Sequence, residues 1–199
     1  MKNLKEYIIE GIFDIDNNIE NIDKQIKEDI KNFLKTNYKG RYQISSKPNK
    51  DGKYEISSLS DIEVKNHRIK TLTNGAFIWT KVDGKFICSM CDIISLEGAP
   101  IKVGRNFSCL CCGSLKSLKG APKEVGRGFD CSFCRSLTSL EGSPEKVGID
   151  FKCESCNSLK SLKGAPKEVG RRFVCRACAG EFTEDDVKVV CNVKEKICI

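Results

Sequence analysis

The stretch FDCSFCRSLTSLEGSPEKVGID, residues 129–150, is one copy of a unit that occurs five times within residues 86–178. A C-x-x-C pair marks each copy, and from the second copy onward the pair recurs every 22 residues. The first copy is one residue shorter. A fixed period of this size is typical of stacked supersecondary units that share one continuous core. The sequence therefore predicts a solenoid with one unit per rung.

The residue pattern inside a unit predicts how each rung is built. Alternate side chains of a strand share a face, so Phe129 and Cys131 are expected to face the core. Leu137 and Leu140 would fill the layer beneath, and Val147 would return the chain to the core. Stacking of rungs at about 4.8 Å would turn each of these residue types into a ladder.

Two further sets of positions follow from this layout. A glycine follows the returning valine in four copies, where we expect a left-handed turn: Gly104, Gly126, Gly148 and Gly170. The outward positions of the five marked rungs are Ile87, Ser89, Met90, Ser108, Leu110, Cys111, Asp130, Ser132, Phe133, Lys152, Glu154, Ser155, Val174, Arg176 and Ala177.

The residues before the array predict a cap. After a short apolar segment, the Asp and Asn residues within 14–18 indicate a break and a helix N-cap. The apolar residues that follow fall at helical spacing and predict an amphipathic helix over 19–34: Ile19, Ile22, Ile26, Ile30, Phe33 and Leu34. The alternating segments 42–44 and 54–56 flank a turn and predict a β-hairpin.

The ends of the array are less regular than its middle. Residues 62–72 predict a rung without cysteines, and the regular rungs begin near Phe86. Thr183 with Asp186 predicts a capping box for a helix over 184–191, and the last seven residues predict a final strand. The predicted organisation is a cap at 1–60, an array at 61–178 and a second cap at 179–199.

The rungs resemble the leucine-rich repeat, L-x-x-L-x-L-x-x-(N/C)-x-L. Residues 86–96, FICSMCDIISL, match that pattern directly, whereas Leu137 and Leu140 come one position later than it requires. The resemblance implies a strand in the first part of each rung and a second cysteine packed against the loop backbone. The expected fold class is α+β: a leucine-rich-repeat-like β-solenoid with a helix and hairpin cap at one end and a helix and strand cap at the other.

The array also resembles repeat proteins of large tailed bacteriophages, in which S-L-x-S-L-x-G-A-P-K-E-V-G units recur, as at 114–126 and 158–170. The opening MKNLKEYIIEG is similar to the capsid-targeting peptide of T4-like phage internal head proteins. That resemblance implies recognition of Ile8-Ile9-Glu10 by a head-maturation protease, with cleavage between Glu10 and Gly11. An ordinary capping helix is the alternative. The implied location is the virion interior, the reducing host cytoplasm, or both.

The thirteen cysteines raise three possibilities: disulfides, zinc sites and buried thiols. A reducing compartment is the expected location, which counts against disulfides. The pair spacing is compatible with zinc, and the ligands would come from Cys88, Cys91, Cys109, Cys112, Cys131, Cys134, Cys153, Cys156, Cys175 and Cys178. Five pairs cannot be divided into complete four-thiolate sites, and a free cysteine buries readily as a small apolar side chain. We therefore favour a buried ladder of free thiols. Five equivalent pairs also favour a structural role over a redox role.

Charge raises a second functional alternative. The net charge is +7, and arginines that recur at one repeat position form a candidate basic column for nucleic acid or another acidic surface, although Ile149 interrupts it: Arg105, Arg127 and the adjacent pair Arg171 and Arg172. Aromatic residues that would stack on single strands are missing from that face. Nucleic acid is therefore the second choice.

The pattern favours a protein-binding, non-enzymatic repeat protein. It contains no phosphate loop and no specific nucleophile–base set, so we predict no enzyme and no cofactor. The predicted contacts with a protein partner are Met90, Leu110, Cys111, Phe133 and Arg176. The alternative is that the N-terminal helix or hairpin covers this apolar patch. We expect a monomer that does not enter a membrane.

Overall fold

The computed structural model describes the backbone of residues 4–199 and the side chains from Ile19 onward. The helices and strands are α1 (Leu4–Asn37), β1 (Tyr38–Lys39), β2 (Gln43–Ile44), β3 (Tyr54–Ser58), β4 (Ile62–Val64), β5 (Phe77–Val82), β6 (Phe86–Ile87), β7 (Lys102–Val103), β8 (Phe107–Ser108), β9 (Glu124–Val125), β10 (Phe129–Asp130), β11 (Lys146–Val147), β12 (Asp150–Lys152), β13 (Glu168–Val169), β14 (Arg172–Val174), α2 (Glu184–Val190), β15 (Asn192–Val193) and β16 (Lys196–Cys198). These elements confirm the predicted class, an α+β chain built around a β-solenoid.

Each rung contributes one short strand to each of two sheets. The first sheet has the order β1-β4-β6-β8-β10-β12-β14-β16, and the second has the order β15-β13-β11-β9-β7-β5-β3-β2. Pairing is parallel throughout the array and antiparallel only for β1 with β4 and β2 with β3. The second strand, which carries the returning valine, was not predicted. The third side of each rung has no regular strand.

The register between rungs aligns identical side chains. Phe86, Phe107, Phe129, Phe151 and Phe173 pair in sequence across the first sheet. Their rings are stacked, with centroids between 5.1 Å and 5.6 Å apart. All five are fully buried. The predicted inward ladder is therefore confirmed, and it runs through the centre of the array.

The N-terminal helix differs from its prediction in two respects. α1 continues through residues 14–18, so the predicted break is wrong. Asp and Asn weaken a helix interior by only about 0.7 kcal/mol each, and no proline interrupts it. Ile30 and Leu34 are fully buried, but Ile19 and Ile22 are 59% and 55% exposed. Only the apolar residues in the C-terminal half of the predicted amphipathic helix close the core.

The first rungs complete this cap. β2 and β3 form the predicted hairpin, with Ile44 opposite Ile56. Trp79 is buried among aromatic rings, with the ring of Tyr38 edge-on at 5.5 Å. β4 pairs with β6, so residues 62–72 form a rung without cysteines.

The C-terminal end follows the prediction closely. The Thr183 hydroxyl accepts the Asp186 amide proton, and the Asp186 carboxylate accepts the amide proton of Thr183. This capping box starts α2. The chain then adds β15 and β16 to the two sheets, and Phe173 pairs with Ile197. The last residues thus provide one more rung without the C-x-x-C pair.

The glycines after the returning valines have a different role from the one predicted. Gly104, Gly126, Gly148 and Gly170 do not have a positive φ. A Cβ at Gly148 would instead overlap the carbonyl oxygen of Gly126 in the preceding rung. Left-handed glycines lie elsewhere in the rung, for example Gly142 with φ 88°. Close approach of two backbones, rather than a turn, excludes a side chain after the valine.

Candidate protein-binding face

The C-x-x-C turn has an unusual backbone in every marked rung. The residue before the second cysteine has a φ between 52° and 59° in all five copies. We call these five residues the turn column: Met90, Cys111, Phe133, Ser155 and Ala177. A left-handed backbone is unfavourable for residues with a side chain, especially bulky ones. The neighbouring rungs must therefore hold it in place.

Hydrogen bonds between rungs supply that support. The amide of Met90 donates to the Leu110 carbonyl at 2.8 Å, and the amide of Phe133 donates to the Glu154 carbonyl at 2.7 Å. Cys111 and Ser155 donate in the same way to the rung that follows. Repetition of this bond fixes the turn and keeps the backbone of the column in one conformation.

The side chains of the turn column point into solvent. Met90 is 61% exposed and Phe133 is 47% exposed. Cys111 between them is exposed, and Leu110 beside it is half-buried. Neither the N-terminal helix nor the hairpin covers this patch, as the alternative interpretation required. Arg176 is also exposed, but it lies at the far end of the array beside Ala177.

Two positions predicted to face outward are buried. Ser132 is 3% exposed and Val174 is 7% exposed. The Ser132 hydroxyl accepts the Glu154 amide proton at 3.2 Å, which satisfies it away from water. Simple alternation fails at Ser132 because the chain has left β10 and entered the turn, whereas Val174 is buried within β14 itself.

The thiols behind the column form a hydrogen-bonded ladder. The second cysteine of a rung donates to the carbonyl of the first cysteine in the preceding rung: Cys112 to Cys88 at 3.1 Å, Cys134 to Cys109 at 3.3 Å, Cys156 to Cys131 at 3.3 Å and Cys178 to Cys153 at 3.0 Å. These contacts give the carbonyl oxygens of the first cysteines a hydrogen-bond partner in the rung that follows. The thiols therefore contribute to the stacking of the rungs.

Burial also makes most of these thiols unreactive. Loss of hydration raises the pKa of Cys88, Cys109, Cys131 and Cys153 well above its usual value. It raises the pKa of Cys112 to about 12. Protonated thiols are poor nucleophiles and poor metal ligands. Among the residues that the structure describes, no group of three or more His, Cys, Asp or Glu side chains is arranged to hold a metal ion.

A polar pit lies on the first sheet, and the sequence analysis missed it. One position of four successive rungs is occupied in turn by Asn106, Gly128, Asp150 and Arg172. A Cβ on Gly128 would have 3.5 Å to its nearest neighbour, so packing does not demand this glycine. Its missing side chain opens a cavity of about 360 Å³. Alignment of the rungs could have found it.

The charges around the pit are unbalanced. Arg127, Asp130, Asp150 and Lys152 line it. The Asp150 carboxylate is already paired, because Arg172 donates to its two oxygens at 3.1 Å and 2.6 Å. This hydrogen bonding lowers the pKa of Asp150. Two cations and one remaining carboxylate face the cavity, an arrangement that favours an anionic group.

The candidate basic column is less uniform than the sequence pattern indicated. Arg171 pairs with Glu195 at 3.0 Å, and Arg172 pairs with Asp150. Arg105 and Arg127 make no ion pair within the described part of the chain. Several lysines are paired between rungs, for example Lys102 with Glu124. Much of the positive charge is thus offset locally.

The predicted processing site lies in the first turns of α1. Glu10 and Gly11 are helical, but their side chains lie outside the described residues. Cleavage there stays a prediction.

Comparison with known proteins does not place the chain in a family. No family model, curated protein or solved structure matches it. In the described range, neither helix combines the length and apolar character needed to cross a membrane. Any functional assignment therefore depends on the geometry of the solenoid itself.

Proposed function

We propose that this chain is a non-enzymatic, protein-binding repeat protein whose recognition surface is the apolar end of the turn column. The observation that carries the proposal is the exposure of Met90, Cys111 and Phe133 in adjacent rungs, with Leu110 beside them. An exposed apolar patch rimmed by polar residues is typical of a protein interaction site. Phe133 is the natural anchor, because large side chains dominate interface energies.

The rigidity of the column supports this function. In the first four turns, an amide hydrogen bond to the next rung holds the backbone, and buried thiols fill the core behind it. A preorganised surface loses little conformational entropy when it binds. A left-handed Phe133 is unfavourable for folding alone, and a role in recognition gives a reason for its retention.

The polar pit suggests the chemistry of the partner. Apolar side chains of the partner would contact Met90, Leu110 and Phe133, whereas a carboxylate would fit the pit between Arg127 and Lys152. Both features lie on the side of the first sheet, and Asp130 at the rim of the pit is three residues from Phe133. We therefore propose a partner surface that combines an apolar patch with an acidic residue. Arg176, farther along the column, extends the attraction for acidic groups.

The experiment uses Phe133→Asp as an affinity bait. Aspartate tolerates a left-handed backbone better than phenylalanine, so this variant is expected to fold with an unchanged thermal midpoint. Capture of the specific partner from host or infected-cell lysate should fall at least tenfold. Ile94→Asp is the matched control, because Ile94 is 57% exposed but lies outside the column.

Two results would contradict the proposed face. One is equal capture of the partner by the wild type and Phe133→Asp. The other is a large loss of thermal stability in Phe133→Asp, which would identify Phe133 as a structural residue. Leu110→Asp gives an independent check on the same surface.

We further propose that the protein belongs with the tailed-phage repeat proteins that its units resemble, and that it acts in the virion interior or the host cytoplasm. The support is the amino-acid sequence of residues 114–126 and 158–170 and of the opening segment MKNLKEYIIEG. Intact-mass measurement on virions is the test. Loss of residues 1–10 is the expected result, and a full-length chain in virions would exclude cleavage after Glu10.

A further inference from the structure

The five C-x-x-C pairs are not equivalent in the folded chain. Cys91, Cys112, Cys134 and Cys156 are buried, whereas Cys178 is only half-buried. The sulfur atoms of Cys175 and Cys178 are 3.5 Å apart. In the part of the chain that the structure describes, this is the only C-x-x-C pair whose two thiols form a hydrogen bond with each other.

The position of this pair in the array explains the difference. In an interior rung, the C-x-x-C turn is bonded to the C-x-x-C turn of the rung that follows, as the Cys111 amide is to the Ser132 carbonyl. After Cys178 the chain turns into α2, and the last strand reaches only as far as Cys198, whose carbonyl accepts the Cys175 amide proton at 2.8 Å. No further C-x-x-C turn follows Cys178, and the residue is half-buried where its counterparts are buried.

The surroundings of Cys178 also favour its reactive form. The Cys175 thiol donates to the Cys178 sulfur at 3.5 Å, and the neighbouring thiols, Cys153 first, hold the pKa of Cys178 below its usual range. The pKa of Cys134 is also lowered, mainly by hydrogen bonding with the Cys109 thiol. Cys134 is fully buried, however, and an oxidant cannot reach it. Access and thiolate character therefore coincide at Cys178.

We propose that Cys175 and Cys178 form a redox-active dithiol, which a low-molecular-weight disulfide such as oxidised glutathione converts into an intrachain disulfide. The Cys178 thiolate attacks one sulfur of oxidised glutathione, and a mixed disulfide forms as the first glutathione leaves as a thiolate and takes up a proton. The Cys175 sulfur, after losing its proton to solvent, attacks Cys178 and expels the second glutathione. Two protein thiols lose two electrons, and one glutathione disulfide becomes two thiols.

The disulfide would loosen the end of the ladder. A bond to Cys175 requires the Cys178 sulfur to move from 3.5 Å to about 2.05 Å from its partner. The bonded sulfur also carries no proton, so it can no longer donate to the Cys153 carbonyl, to which the Cys178 thiol donates at 3.0 Å. Oxidation would therefore remove one hydrogen bond between the last two marked rungs and leave the interior rungs reduced.

Trypsin gives a direct readout, because Arg176 lies between the two cysteines. The peptides 173–176 and 177–188 remain joined only if the disulfide forms. The full chain carrying Cys111→Ser, which removes the exposed free thiol, is equilibrated in mixtures of reduced and oxidised glutathione. It is then acid-quenched, alkylated, digested and measured by mass spectrometry. The Cys131–Cys134 pair, which stays within the single peptide 128–135, is the internal control.

The expected result is a joined 173–176/177–188 species at least ten times more abundant than oxidised 128–135 at the same glutathione ratio. Cys178→Ser in the same background should fold and give no joined species. Three outcomes would overturn the proposal: no joined species at any ratio, equal oxidation of the control pair, or a metal ion that protects Cys175 and Cys178 from alkylation in the purified protein.

Discussion

At the scale of single residues, the array depends on what each position can tolerate. Gly148 faces the carbonyl of Gly126 so closely that no side chain fits between the two rungs. Gly128 lies only twenty residues away and has room for a Cβ. Two glycines of the same array therefore have opposite reasons for being there: one permits stacking, and the other leaves a cavity.

Replacement of these glycines should separate the two roles. Gly148→Ala is expected to lower the free energy of unfolding by about 2–3 kcal/mol, because the added methyl forces two backbones apart. Gly128→Ala should change it by no more than about 0.5 kcal/mol, since φ is not positive and the space is open. Urea denaturation of both variants provides the measurement. Equal changes in unfolding free energy for the two variants would show that the rungs are not closely stacked at Gly148.

At the scale of elements, adjacent rungs are joined by side-chain pairs as well as by strand hydrogen bonds. The pair between β12 and β14, Asp150 with Arg172, has two hydrogen bonds and a carboxylate that is 13% exposed. The pair of Glu145 with Lys167 links the same two rungs at 3.0 Å, but both side chains are more than half exposed. Only the first pair is shielded enough from water to contribute appreciably to stability.

This contrast predicts a pH dependence. Arg172 lowers the pKa of Asp150 in the folded state, so the stabilisation is complete above the unfolded value of about 3.9 and is lost as pH falls through the folded value. Asp150→Asn should cost about 1 kcal/mol at neutral pH. The difference in unfolding free energy between this variant and the wild type should shrink as the pH falls below about 3.9.

Glu145→Gln is the matched control for that prediction. It should leave the unfolding free energy unchanged at either pH, because an exposed pair contributes little. Urea titrations across the pH range compare the three proteins. If the unfolding free energy of Asp150→Asn is lower than that of the wild type by the same amount at every pH, the substitution removes packing rather than a charge interaction.

At the scale of the whole molecule, stability comes from a continuous core closed at both ends. Phenylalanine, cysteine, leucine and valine ladders run from rung to rung. Ile30 and Leu34 of α1 cover the first end, and the residues around α2 add a last rung at the other. Such stacks unfold unless their terminal units protect the core. The ladder thiols take part in this core as hydrogen-bond donors to carbonyl oxygens.

Metal removal therefore tests the architecture as a whole. Incubation with EDTA under reducing conditions should leave the thermal midpoint unchanged, because the ladder thiols donate to carbonyl oxygens in place of binding a cation. Circular dichroism provides the measurement. A fall in the midpoint that added zinc reverses would establish the C-x-x-C pairs as a zinc-binding array.

The sequence by itself determined the period, the inward ladder and the C-terminal capping box. These depend on local spacing, because a residue's face on a strand and a capping pair are set by neighbours a few positions away. The tertiary structure alone decided the second strand, the burial of Ser132 and the continuity of α1. It also decided that Gly148 serves close approach and that Cys178 differs from its four counterparts. The continuity of α1 depends on its own backbone, in which Asp and Asn cost little. The other properties arise between residues about 22 positions apart, where only the stacking of one rung on the next decides what a side chain contacts.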